Sequence, residues 1–280
     1  MEKISAAFDG LKFSRSTLEY GIDLASKSDA LLSGIFLDDF THHSYNIYDM
    51  VGSQGVSKEK VKKLINADKA ARLKSAEAFE QACIKANIKH VVHHDKSIAS
   101  QELIKESIYT DLVLINSDET FNHFTEVPPT QFIRDLLIDM QCPVIIIPKE
   151  YKRIEKVVLL YDGKPASVFA IKMFNYMLPW MKDLETEVVS VMDPQDRLEL
   201  PDNNLIREFV KCHYPDATYN ILYGKPEEEI VAFVRDLQQN VLIVLGAYSR
   251  NTVSRWFKTS MADILMKEVS VPMFVAHNKG

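Results

Sequence analysis

Three cysteines in 280 residues, Cys83, Cys142 and Cys212, are too few and too scattered for a disulfide framework or a four-thiolate metal site. A reducing cytoplasm is the simplest home for such a chain. Apolar runs are short, and none approaches the roughly 20 residues needed to cross a bilayer. Positive charge is not in excess: 33 Lys and Arg against 39 Asp and Glu leave a formal −6. That balance gives no general electrostatic reason to bind a nucleic-acid backbone or an anionic membrane, and neither is expected as a partner. The opening MEKISAAFDG carries no basic stretch followed by a long apolar segment, so no secretory signal is expected. The chain also lacks a Walker loop, a Gly-x-Gly-x-x-Gly dinucleotide fingerprint and a Gly-x-Ser-x-Gly nucleophile elbow. What it has is 46% hydrophobic residues, and a length that favours two domains of about 140 residues.

The sequence repeats. KISAAFDG at 3–10 matches KVVLLYDG at 156–163, setting Asp9 against Asp162 and Gly10 against Gly163 at an offset of 153. DLVLINS at 111–117 matches NVLIVLG at 240–246, and CPVIII at 142–147 matches VPMFVA at 271–276, both at an offset of 129. The first copy therefore holds 24 more residues, net, between its opening and fourth strands. They fall near 40–63, where FTHHSYNIYDMVGSQGVS has turn formers and no long periodicity. That segment reads as a surface loop or as the cover of a ligand or partner.

Short apolar runs near 4–8, 31–37, 89–94, 111–116 and 143–147 read as strands, and 14–27, 58–86, 98–108 and 130–140 as helices. In the second copy the strands fall near 156–161, 186–192, 217–222, 240–245 and 272–276, with helices at 166–178, 202–212, 226–237 and 259–268. Ser16 with Glu19 has the spacing of a capping box, and Pro226 suits a first helical turn. The helix from Lys58 interrupts its positive charges with Glu59, Asp68 and Glu77, and reads as a solvated face. Five strands alternating with four helices argue a doubly wound parallel sheet in each copy. The expected domains are 1–150, carrying the longer insert, and 154–280, with a boundary near 148–155.

Open parallel sheets bind ligands beyond the carboxyl ends of their strands, where strand order reverses. In the second copy the loops to inspect hold Tyr161-Asp162-Gly163-Lys164 and Gly246-Ala247-Tyr248-Ser249-Arg250, with Thr259-Ser260 opening a helix. Backbone N–H groups and hydroxyls there suit a phosphate, and Lys164, Arg250 and Lys258 supply positive charge. Asp162 would repel phosphate and suits a hydrogen bond from a base or ribose. The plainer alternative has Asp162 shaping its turn and Thr259 or Ser260 only capping the helix. Cys83 and Cys142 read as ordinary buried thiols. His42-His43 with His90, His93 and His94 read as exposed or hydrogen-bonded, or as a zinc site in which His43 reaches across the fold. Trp180, Trp256, Phe169, Phe174 and Tyr176 read as packing or interface residues.

The paired Asp-Gly turns after each first strand, the loop after strand four and the late prolines Pro143 and Pro272 resemble the universal stress protein domain, and the whole chain resembles a tandem member of that family. The resemblance implies two α/β domains, each a five-stranded parallel sheet of order 3-2-1-4-5 flanked by helices, forming an internal pseudo-dimer. It implies a stress-response role in the cytoplasm and an adenine nucleotide such as ATP, with magnesium accompanying the phosphates and no dedicated protein metal site. The family's loop of Gly, two residues, Gly, nine residues, Gly, then Ser or Thr falls on Gly246, Ser249, Thr259 and Ser260, so two glycines are replaced. The implied contact set is Asp162, Gly163, Lys164, Leu245, Gly246, Ser249, Arg250, Thr259 and Ser260. In the first copy the same positions are Ser117, Thr120, Thr130 and Gln131, without glycine, and Pro128 and Pro129 remove backbone donors. The second copy is thus the expected nucleotide site. Competing readings are a tandem scaffold for an unidentified protein partner, without nucleotide, and a slow metal-assisted nucleotide hydrolase built on Asp9 or Asp162. No general base stands out, so no catalytic residue is assigned. Two chains pairing through outer edge strands would give a homodimer.

Overall fold

A computed structural model describes every residue except 38–50, 53–54, 57, 96–97, 122–124, 194–198, 247–259 and 277–280. The first half of the chain forms β1 (Lys3–Phe8), β2 (Leu31–Leu37), two-residue strands β3 (Val51–Gly52) and β4 (Gly55–Val56), β5 (His90–Asp95), β6 (Leu112–Asn116) and β7 (Val144–Ile147). The second forms β8 (Lys156–Leu160), β9 (Glu185–Met192), β10 (Thr218–Tyr223), β11 (Val241–Gly246) and β12 (Met273–Ala276). Between them run α1 (Arg15–Ser28), α2 (Lys58–Lys85), α3 (Ala99–Glu106), α4 (Gln131–Asp139), α5 (Pro165–Met177), α6 (Asn203–His213), α7 (Pro226–Asp236) and α8 (Met261–Glu268). Pro226 stands in the first turn of α7, as its spacing suggested.

Ten strands make one sheet, in the order β10-β9-β8-β11-β12-β7-β6-β1-β2-β5. Read from its first strand, each half contributes the order 3-2-1-4-5, and in this sheet all neighbours within a half are parallel; β3 and β4 pair antiparallel apart from it. The halves join where β12 meets β7 antiparallel, with Met273 opposite Ile146, Phe274 opposite Ile145 and Val275 opposite Val144. Both strands are buried along their whole length. The junction therefore hides the edge each half would otherwise leave unpaired. Arg134 of α4 also reaches Asp263 of α8 across it, at 3.8 Å.

Alternation along the strands sends side chains to two layers. Ile4, Phe8, Val157 and Leu159 pack on one face with α1, α2, α5 and α6. Ala7, Val113, Val158 and Ile243 pack on the other with α3, α4, α7 and α8. Each layer runs through both halves, so the core is shared across the junction. This fits strands buried on both sides, which read as near-continuous apolar runs.

Two local expectations change. Ser16 and Glu19 do not form a capping box: Ser14 is the N-cap, its Oγ accepting the Thr17 N–H at 3.2 Å. The helix begins earlier because Ser14 takes the extended cap conformation and is also held by Asn116 Nδ2, which donates to its Oγ at 3.2 Å. Ser16 is then a buried first-turn residue whose hydroxyl has no partner, and Glu19 faces solvent. A 3₁₀ turn at Pro179–Asp183 was not anticipated and carries Trp180 against the core. Tyr176, read as a packing or interface residue, is 55% exposed and edge-on to His213. Among the described residues no helix is long and apolar enough to cross a membrane.

Candidate functional site

In the second half β8 and β11 are parallel neighbours, from Lys156 opposite Val241 to Leu159 opposite Val244. The sequence-predicted loops therefore leave from adjacent tips. Asp162, just past β8, takes the Lys164 N–H at 3.0 Å and the Ser167 hydroxyl at 2.8 Å on Oδ1, and Lys164 Nζ at 2.9 Å on Oδ2. Burial works to raise its pKa, but the bonds from Lys164 and Ser167 outweigh it and hold the carboxyl below its ordinary value. Those bonds also fix the turn into α5, whose N-cap Lys164 has no side-chain cap of its own. The Asp162 side chain is nevertheless 54% exposed, so part of the carboxylate faces solvent.

Gly163 has φ +77, a conformation that favours glycine, and a Cβ there would lie 2.6 Å from Pro201 Cβ. Tyr161 Oη donates to the Pro201 carbonyl at 2.9 Å, so the stretch before α6 lies over the tip of β8. Gly246 ends β11 beside the first turn of α5, where a Cβ would stand 2.4 Å from the Ala166 carbonyl carbon and oxygen. Leu245 is buried in the sheet. Ser260 is the N-cap of α8, its Oγ accepting the Ala262 N–H at 3.2 Å. The structure thus brings Asp162, Gly163, Lys164, Leu245 and Gly246 to neighbouring strand tips, and starts α8 at Ser260. Ser249, Arg250 and Thr259, with Tyr248, Trp256 and Lys258, lie outside the described residues.

The equivalent edge of the first half, where β1 and β6 are neighbours, holds a crevice of about 370 Å³. Phe13 and Asn116 line it with the charged groups of Lys12, Arg15, Asp118, Glu119, Glu126 and Lys149. Asp9 is buried beneath, accepting the Leu11 N–H at 2.8 Å. Glu119 is only 6% exposed. Its Oε1 accepts the N–H groups of Thr120 at 3.0 Å and Phe121 at 3.1 Å. Burial first, and then the Asp9 charge, push its pKa up to about 7. Glu126 Oε2 accepts the Gln131 N–H at the start of α4, at 2.8 Å. Thr130 caps the same helix through Ile133 N–H and donates to the Glu119 carbonyl. Sequence reasoning missed Glu119 and Glu126. The available signal was their place in the connection between Ser117 and Thr130, which the repeat aligns with the proposed phosphate loop.

Of the strand histidines, His93 Nδ1 lies 2.7 Å from Glu106 Oε1 and His90 Nδ1 3.1 Å from the Ile88 carbonyl, while His94 is exposed with its ring beside Phe36. His42 and His43 lie outside the described residues, and among the described ones no group of three or more His, Cys, Asp or Glu is placed to hold a metal. Cys83 is buried, which pushes its thiol up to about 12.

No family model matches the chain. By sequence it is 23% identical over 290 residues to universal stress protein Slr1230 of Synechocystis, covering 98% of this chain and 99% of that protein. By structure it is similar to a universal stress protein from Archaeoglobus fulgidus, with a TM-score of 0.71, 16% identity and 98% of each chain covered. It is likewise similar to a functionally unknown protein, PA1789, from Pseudomonas aeruginosa, with a TM-score of 0.65 and 12% identity over 99% of this chain and 92% of that one. The two structural likenesses speak for the fold.

Proposed function

We propose that this chain, a tandem member of the universal stress protein family by its fold and its end-to-end similarity, binds an adenine nucleotide at the adjacent tips of β8 and β11 and answers it with a change of conformation or interface. The observation that carries the reading is the side-by-side pairing of β8 and β11, which puts Asp162 and Gly246 on adjacent tips. Such a tip is where an open parallel sheet accepts a ligand. Asp162 is suited to the adenosine end: it is ionised, half exposed, and among the described residues one of its oxygens is held only by the exposed Lys164 ammonium. An exposed ion pair of this kind is worth at most about 1 kcal/mol, so a ribose hydroxyl or adenine amine can take its place. The first turn of α8, beginning at Ser260, offers backbone N–H groups and a positive dipole end to phosphates. Magnesium would accompany the phosphates of a bound ATP. Binding would stabilise whichever arrangement of the halves it prefers, which is how a ligand would reach the rest of the chain.

Titration calorimetry of the full chain with ATP and magnesium tests this. Saturable binding that weakens tenfold or more in Asp162→Ala supports it; no saturable heat from folded protein, or binding untouched by Asp162→Ala, overturns it. The absence of heat would favour a second reading, a tandem scaffold for a protein partner. That reading draws support from Pro201 lying over Gly163 and from Asp162 already being bonded to Lys164 and Ser167.

A further inference from the structure

Negative charge dominates the chain as a whole, yet residues 58–74 hold seven of its 33 Lys and Arg and only two of its 39 Asp and Glu, a local +5 against −11 for the rest. The fold sets that positive stretch apart from the body. Phe79 of α2 lies against Gly34 inside β2, and one turn earlier Ser75 Oγ donates to the carbonyl of Gly10, beyond the tip of β1, at 2.7 Å. The helix therefore leaves the sheet at Ser75, and the 17 residues before it run on past the strand tips for about 25 Å. Of these only Asp68 is buried. Charges are screened over about 8 Å at physiological ionic strength, so the outer turns present their own sign rather than that of the body.

This arm is not purely charged. Lys58, Lys62, Ile65, Lys69 and Leu73 follow one another at spacings of three and four, which sets them along one flank of the helix. Neither acid of the stretch falls on that spacing. Ile65 is 49% and Leu73 56% exposed. Beside them a groove of about 300 Å³ is lined by Val61 and Ile65 with Lys58 and Lys62. Apolar side chains interleaved with lysines suit the surface of a bilayer: the apolar groups enter the acyl boundary while long lysine stems keep their ammonium groups at headgroup level. A nucleic acid would find no aromatic side chain in 58–74 on which to stack a base.

We propose that the outer turns of α2 form a peripheral docking arm for an anionic lipid bilayer, with Lys58, Lys62 and Lys69 at the headgroups and Ile65 and Leu73 at the acyl boundary. The same surface repels the negative body, so contact is made by the arm and weakens as salt is added. Docking of this kind needs no membrane-spanning segment. The inference does not rest on nucleotide binding in the second half.

Flotation of the full chain with lipid vesicles tests it. Vesicles of phosphatidylserine mixed with phosphatidylcholine should carry the protein in low salt and release it in high salt, and pure phosphatidylcholine should not carry it. Lysines near an anionic surface contribute separately, so Lys58→Gln, Lys62→Gln and Lys69→Gln together should weaken binding about a hundredfold. Ile65→Gln with Leu73→Gln should weaken it about tenfold. All five positions are exposed, so both variants should keep the wild-type thermal midpoint. No flotation with phosphatidylserine in low salt, equal flotation on the two kinds of vesicle, or a folded lysine variant that floats like the wild type would overturn the proposal. So would binding undiminished by loss of Ile65 and Leu73, which would make the arm a site for a soluble polyanion instead.

Discussion

Replacing Glu119 by Gln should remove a distinct slope from the dependence of stability on pH. The carboxyl lies 6% exposed between the tips of β1 and β6. Burial, then the Asp9 charge, raise its pKa from 4.5 to about 7, against the opposing pull of the Phe121 and Thr120 N–H groups and of Lys12. An acid with a raised pKa keeps its proton in the folded chain at pH values where the unfolded chain has released it. The folded state then binds more protons, so stability falls as pH rises from about 4.5 and levels off above about 7. The full displacement corresponds to about 3 kcal/mol. Gln keeps an oxygen for the Thr120 and Phe121 N–H groups and has no proton to lose. Urea unfolding of both proteins from about pH 4 to about pH 9 should show the variant gaining about 3 kcal/mol on the wild type through that window, with a level difference on either side. Parallel curves would refute the reasoning, because Glu119 would then ionise in the folded chain as readily as in the unfolded one.

Three further outcomes follow from the packing. Gly246→Ala drives a methyl into the Ala166 carbonyl of α5 and should cost about 3 kcal/mol, read as a lowered thermal midpoint. Ser14→Ala should cost about 1 kcal/mol by removing the α1 cap, whereas Ser16→Ala, deleting a buried hydroxyl without a partner, should be neutral or stabilising by the same measurement. Of the thiols, exposed Cys212 should react with a disulfide reagent in the native protein, while buried Cys83, its pKa pushed up to about 12, should react only on unfolding.

The strands and helices were legible because the sheet is buried on both faces. Runs such as 112–115 and 241–245 stay apolar without alternation, and the doubled Asp-Gly turns expose the repeat. The β7–β12 junction had no such signal. VIII and MFVA look like any buried fifth strand, and nothing local says that they pair with each other, antiparallel, to make one sheet of ten. Gly246 shows a subtler limit. Its sequence position marks a close approach, but only the fold reveals Ala166 backbone at the place where a Cβ would go. Glu119 and Glu126 were invisible for a related reason: acidic residues in a polar loop read as solvated until the chain folds their carboxylates back onto its own N–H groups. The Ser16 cap was misplaced because Ser14, two residues earlier, is held by Asn116 from the distant strand β6.

The functional account turns on what occupies the space between Asp162 and Ser260, and a crystal structure of the chain grown with ATP and magnesium tests it most directly. It predicts nucleotide density with the adenosine against the Asp162 carboxylate and the phosphates over the first turn of α8. Crystals with no density there, Pro201 still seated on Gly163 and the Asp162 bonds to Lys164 and Ser167 unchanged, would contradict it.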